Sequence, residues 1–208
     1  MLQWKPRNEN GFPREVSMNS STDELRGRII SVATELFQKT GLKFTMQEVA
    51  ASLSISKKTI YTVYPSKEAL LLDMIDGLFA DIHRKKAELA AQDAPVEERI
   101  RKVIVALPEQ YSAMDFRLLD ELEEKYPAAA KRVRKHLETN WEPTVALLEE
   151  GMSAGKIRRV SIPLLQQMIV ASIERFLSDE SSRGRYADTL EEMIDIIMNG
   201  IKRREDEV

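Results

Sequence analysis

Apolar residues recur at three- and four-residue intervals along most of the chain, and no segment alternates like a strand, so the pattern predicts an all-α protein. From Ser21 to Gly41, the positions Leu25, Ile29, Val32, Ala33, Leu36 and Phe37 mark one helix face; Ser21 and Glu24 form a capping-box pair, and Gly41 suits the residue just past the helix end. The stretch Thr45 to Leu70 then contains three helix starts in close succession. Thr45 and Glu48 form a capping box, with Phe44 and Val49 as its hydrophobic staple. Ser54-Ile55-Ser56 breaks the pattern, Ser56 caps a second helix, and Ile55 and Ile60 are placed to staple it. Pro65 biases Tyr64 away from helical geometry, so this helix ends near Val63 or Tyr64 and Ser66 caps the next. Two short helices joined by about three residues describe a helix-turn-helix.

A long helix from Ser66 to about Ala90 follows, with Leu70, Leu71, Met74, Ile75, Leu78, Phe79 and Ile82 on its apolar stripe. Pro95 opens a helix through Ile100, Val103, Ile104 and Leu107, and Pro108 opens another through Tyr111, Met114, Phe116 and Leu122. Pro127 and Pro143 lie near further starts, and the run to Met152 ends around Gly151 and Gly155. The last two helices have the cleanest faces: Leu165, Met168, Ile169, Ser172, Ile173 and Phe176 after a Ser161 cap, then Tyr186, Leu190, Met193, Ile194, Ile197 and Ile201. Residues 1–20 show no periodicity and are expected to be a flexible arm, with Met18 as an alternative start. The expected division is therefore an arm over 1–20, a helix-turn-helix domain over 21–65 and a larger helical domain over 66–208.

Composition narrows the function. Among 208 residues there is no cysteine, which excludes disulfides and thiolate metal sites. No apolar run approaches the length of a membrane span, and the start lacks the apolar centre of a signal peptide, so a cytoplasmic protein is expected. The chain carries a net charge of −3, yet between Glu24 and Leu70 seven bases (Arg26, Arg28, Lys39, Lys43, Lys57, Lys58, Lys67) face four acids (Glu24, Glu35, Glu48, Glu68). A basic head on an acidic body suits a DNA-binding module attached to a domain with another task. No glycine-rich phosphate loop, nucleophile elbow or His-Glu-x-x-His sequence occurs, so no catalytic residues and no cofactor are expected. The isolated His83 and His136, and the acidic run Asp120, Glu121, Glu123 and Glu124, read as ordinary helix positions rather than a metal site.

The helix between Ser56 and Pro65 keeps only Ile60 and Val63 as clear anchors and carries Lys57, Lys58, Thr59, Tyr61 and Thr62. Lys57, Lys58, Thr59 and Thr62 suit base edges, whereas Tyr61, Tyr64 and Lys67 suit phosphates; Thr45 offers a backbone amide to the same backbone. From Arg28 to Leu71 these residues resemble the TetR family of bacterial transcriptional regulators, through Gly41, Thr45, Val49-Ala50, Ile55-Ser56, Thr59-Ile60-Tyr61, Tyr64, Ser66-Lys67-Glu68 and Leu70-Leu71. Ser54 stands where that family usually has a turn glycine, and Lys58 where it usually has a small residue.

The resemblance implies a homodimeric regulator, most often a repressor, that leaves a palindromic operator on double-stranded DNA when a small-molecule effector binds the body. It implies a four-helix interface from the last two helices, with Leu165, Met168, Ile169, Ile173, Phe176, Leu190, Met193, Ile194, Ile197 and Ile201 as candidates. Phe79, His83, Tyr111, Met114, Phe116, Trp141 and Met168 are the candidate effector contacts, each also readable as plain core. Two competing classes remain: a helical module that sequesters an apolar molecule without reading DNA, opposed by the basic short helix, and an α-helical enzyme, opposed by the lack of assembled chemistry.

Overall fold

The computed structural model describes residues 18–108, 119–178 and 186–202. The described residues form helices α1 (Met18–Thr40), α2 (Met46–Ser52), α3 (Lys57–Val63), α4 (Lys67–Ala90), α5 (Val96–Ile104), α6 (Leu119–Lys125), α7 (Pro127–Glu138), α8 (Glu142–Ser153), α9 (Ile162–Ser178) and α10 (Tyr186–Ile201), with a 3-10 turn at Gly41–Lys43. No strand occurs among them; a single antiparallel bridge joins Ile157 to Lys202.

Local chemistry accounts for most of the breaks. Gly41 takes φ 60, the left-handed conformation expected of the residue that ends α1. Ser54 takes φ 54 in the same role after α2: its N–H donates to Ala51 O (3.0 Å), and the Ile55 N–H reaches back to Ala50 O (3.1 Å). That pair of bonds is a Schellman motif closed without glycine. Gly155 repeats the motif after α8, with Gly155 N–H on Met152 O and Lys156 N–H on Gly151 O.

One start and one end differ from the sequence expectation, and a further start lies outside the described residues. α1 begins at Met18, so Ser21 lies inside the helix rather than capping it. α5 stops at Ile104, leaving Leu107 beyond its end, because Val103 and Ile104 already complete its buried face. α6 starts at Leu119 in the described residues, and the helix start expected at Pro108 falls against residues 109–118, which lie outside them. The expected arm over residues 1–17 lies outside them too.

The apolar residues gather into two cores. One joins Ile29 and Ala33 of α1, Val49 and Ala50 of α2, Ile60 of α3 and Leu70, Leu71 and Ile75 of α4, and continues into α6 and α7. The other joins Leu89 of α4 to Ile100, Leu148, Ile169 and Ile194. α4 contributes to both, as does α9 through Leu177 in the first and Leu165 and Ile169 in the second, and along α4 the base of the short helices and the far body are fixed to opposite ends of one rod.

Candidate nucleic-acid interface and inner cavity

The helix-turn-helix is built by its caps. Glu48 N–H donates to Thr45 Oγ1 (3.2 Å), and Thr45 N–H donates to Glu48 Oε2 (2.7 Å), closing the expected box. The Thr45 hydroxyl also donates to Glu48, so both its amide and its hydroxyl are engaged inside the cap and the expected phosphate contact through that amide is not free. Ser56 caps α3 by accepting Thr59 N–H at 3.0 Å, and its Oγ lies 2.8 Å from Thr59 Oγ1. Thr59 is thus half-buried in the cap rather than displayed, and Ile60, fully buried, anchors α3 to the core. The face left outward is Lys57, Lys58, Tyr61 and Thr62, with Lys57 Nζ 5.7 Å from the centre of the Tyr61 ring. Thr62 meanwhile donates to Thr59 O within its own helix.

Two residues expected at phosphates turn inward. Tyr64 is only 4% exposed, and its hydroxyl donates to the Asp73 carboxylate on α4. Arg26 of α1 completes the cluster through Nε to Asp73 Oδ2 at 2.6 Å. Burial, reinforced by Asp73, raises the Tyr64 pKa, while the hydrogen bond from Arg26 is the main cause that holds Asp73 below its ordinary value. The ring must fill the space under α3 where Pro65 ends the helix, and this directs the hydroxyl to the core side. Lys67 donates to Leu42 O and Phe44 O, both at 2.5 Å, with its ammonium 4.2 Å from the Phe44 ring centre. It supplies partners to carbonyls that the 3-10 turn leaves open, and burial lowers its pKa.

Behind this head lies a cavity of about 170 Å³. Its wall is apolar for most of its length: Leu71, Met74, Leu78 and Ile82 of α4, Ile169 and Ile173 of α9, and Thr34 and Phe37 of α1. Polar groups collect at one side. Phe79 stacks on His136 (4.5 Å between centroids, planes 10° apart), and His83 is tilted 6.0 Å from His136. His136 Nε2 and Arg132 Nη1 hold Asp76 at 2.7 and 2.5 Å. Burial opposes the charge on Asp76, but these two bonds outweigh it and keep its pKa low. Lys86 lies over the Trp141 ring at 5.4 Å, and Trp141 Nε1 donates to Leu137 O.

Of the effector candidates, Phe79, His83 and Trp141 line this cavity. Met168 does not: it is 54% exposed on the outer side of α9. Tyr111, Met114 and Phe116 lie outside the described residues. Lys86, His136 and Phe37 belong to the wall without having been singled out as effector contacts; the spacing Phe79, Ile82, His83, Lys86 on one helical stripe was the available signal.

Five of the interface candidates on α9 and α10 turn inward, and Met168 faces outward. Leu165, Ile169, Leu190, Ile194 and Ile201 are buried in the subunit's own core, and Ile173, Phe176, Met193 and Ile197 are partly buried. The exposed apolar residues on these helices are Leu164 (56%), Met168 and, on α10, Ile196 (68%). On α9 a second apolar stripe, Leu164 and Met168, lies beside the buried one, whereas the outward face of α10 is mainly acidic around Ile196. Among the described residues, no group of three or more His, Cys, Asp or Glu is placed to hold a metal, and no helix is long and apolar enough to cross a membrane.

Comparison with known proteins agrees with this architecture. Residues 29–74, which span most of α1, the two short helices and the start of α4, match the family described as bacterial regulatory proteins, tetR family. The DNA-binding head of the chain is similar to that of the TetR family of transcriptional regulators. It is 26% identical over 183 residues to an uncharacterised HTH-type transcriptional regulator of Bacillus subtilis, YvaF, covering 86% of this chain and 96% of that one. In fold, the chain resembles a TetR-family transcriptional regulator from Cytophaga hutchinsonii (TM-score 0.69, 16% identity, 92% of this chain and 100% of that one). It is also similar to a TetR/AcrR-family regulator from Thermobifida fusca (TM-score 0.64, 23% identity, 86% and 100%). DNA binding through the helix-turn-helix follows from the family.

Proposed function

We propose that this regulator is a homodimeric repressor that holds a palindromic operator until a small-molecule effector enters the cavity between its helices. Lys57, Lys58, Tyr61 and Thr62 face the major groove, Lys58 bonding guanine acceptors and Tyr61 the phosphates. Residues 21–65 act as the DNA-binding domain and residues 66–208 as the effector-binding and dimerisation domain, joined at Pro65-Ser66. Dimer contacts come from the outward stripes of α9 and α10, including Leu164, Met168 and Ile196, which are apolar and exposed in the single subunit. A role on operator DNA requires a cytoplasmic location.

One observation carries the reading: a single helix, α4, holds both ends. Its first half binds the base of α3 through Asp73, Tyr64 and Arg26, and the same helix supplies the cavity wall from Leu71 to Lys86. A ligand that favours a different position of α4 moves the two reading helices of the dimer off the spacing of about 34 Å between successive major-groove sites, and affinity falls. The effector therefore acts by differential affinity for two states.

Selection of bound sequences from random duplex DNA with the purified protein tests this. Enrichment of a two-fold symmetric site, with half-sites about one helical turn apart, is expected. Enrichment of an asymmetric site refutes the homodimeric operator, and no enrichment at all refutes the repressor direction.

A further inference from the structure

The polar side of the cavity contains a cation with no anion beside it among the described residues. Other half-buried cations among the described residues find oxygen partners: Arg99 pairs with Glu150, Arg132 with Asp76 and Arg101 with Asp195, and Lys67 donates to the Leu42 and Phe44 carbonyls. Lys86 has no hydrogen bond or ion pair among the described residues; its ammonium has only the Trp141 face, and burial pushes its pKa down. An unpaired ammonium in an apolar wall is costly to the unliganded protein. Among the described residues none relieves it: Asp76 is already shared by Arg132 and His136, and exposed Glu142 acts on His83, not on Lys86. His83 is held towards its neutral form, by burial first and then by Lys86, so it adds no second charge.

The rest of the cavity fixes the shape of what would pair with Lys86. Leu71 and Lys86 both line it, and fifteen residues of helix separate them, a rise of about 22 Å. The space holds about 170 Å³, and its wall beyond the histidines is mostly hydrocarbon as far as Phe37 of α1, with Thr34 beside it. We propose that the effector is an elongated apolar molecule with a single carboxylate, seated with the carboxylate on Lys86 and the hydrocarbon along α4 towards Phe37. This rests on the effector-cavity reading above. One ammonium beside a neutral imidazole matches one negative charge; a doubly charged phosphate would leave a charge uncompensated in a low-dielectric site. The far end of such a ligand touches α1, part of the DNA-binding head, so a chain long enough to reach Phe37 presses directly on the element that packs behind α3.

The test titrates the full chain with decanoate, decanol and decyltrimethylammonium, following Trp141 fluorescence in a Trp4→Phe background, for Lys86, Lys86→Met and Lys86→Arg forms. Decanoate is expected to bind the Lys86 protein about tenfold or more tighter than decanol. Lys86→Met abolishes that preference while still binding decanol, and its unliganded melting temperature rises; Lys86→Arg keeps the preference. Equal binding of decanoate and decanol, or an undiminished preference in Lys86→Met, overturns the carboxylate assignment while the cavity reading stands. If none of the three probes binds, both the assignment and the effector-cavity reading fail.

Discussion

Replacing Tyr64 with phenylalanine separates a core role for this residue from a phosphate role. The ring stays, so the packing beneath α3 is preserved, and only the hydroxyl that donates to Asp73 is lost. A hydrogen bond to a charged acceptor contributes about 1.5–3 kcal/mol. The low end applies here, because Arg26 remains on Asp73 at 2.6 Å and the carboxylate is not left without a partner. A loss of about 1.5 kcal/mol in a chain of this size lowers the melting temperature by about 3–6 °C. The assay is thermal unfolding without DNA, at matched protein concentration because the proposed dimer would link stability to concentration. It is paired with the slope of operator affinity against salt. A lower melting temperature with an unchanged salt slope is expected. An unchanged melting temperature with a shallower slope would show that the hydroxyl meets a phosphate after all.

Ser54→Gly should stabilise the protein by about 1 kcal/mol, read from chemical denaturation, since a left-handed φ of 54 strains any residue with a Cβ. Met168→Glu, on the exposed stripe of α9, should convert dimer to monomer in light scattering at micromolar concentration without lowering helix content; an unshifted mass would refute that face as the interface. Ile60→Ala removes the fully buried anchor of α3 and should cost about 2–5 kcal/mol, with operator binding lost as α3 detaches.

What was legible from the sequence follows from range. Caps are local, so Thr45, Ser56 and Ser66 located α2, α3 and α4 to within a residue, and the strained turn at Ser54 was readable from the family resemblance, which places a glycine at that position. The destinations of Tyr64 and Lys67 were not, because each is set by a partner brought in by the fold: Asp73 on α4 for one, the carbonyls of Leu42 and Phe44 for the other. An amphipathic side chain near a helix start looks the same in sequence whether it snorkels outward or caps a turn. On α9 the periodicity revealed an apolar helix but not which of two neighbouring stripes met the core; Leu164 and Leu165 differ by one residue, about 100° of rotation. Lys86 was hidden for a related reason, since a lysine on an apolar stripe ordinarily reaches solvent with its head, and only the Trp141 contact shows that it does not.

The central claim is that the outward face of α3 reads operator DNA, and salt-dependent binding of the Lys57→Ala/Lys58→Ala protein to its selected operator and to variants of it tests that most directly. Compared with the unmodified protein, the slope of log affinity against log salt should fall by roughly 2–4 per dimer, and the rank order of operator variants should change. An unaltered slope together with an unaltered rank order would contradict the account.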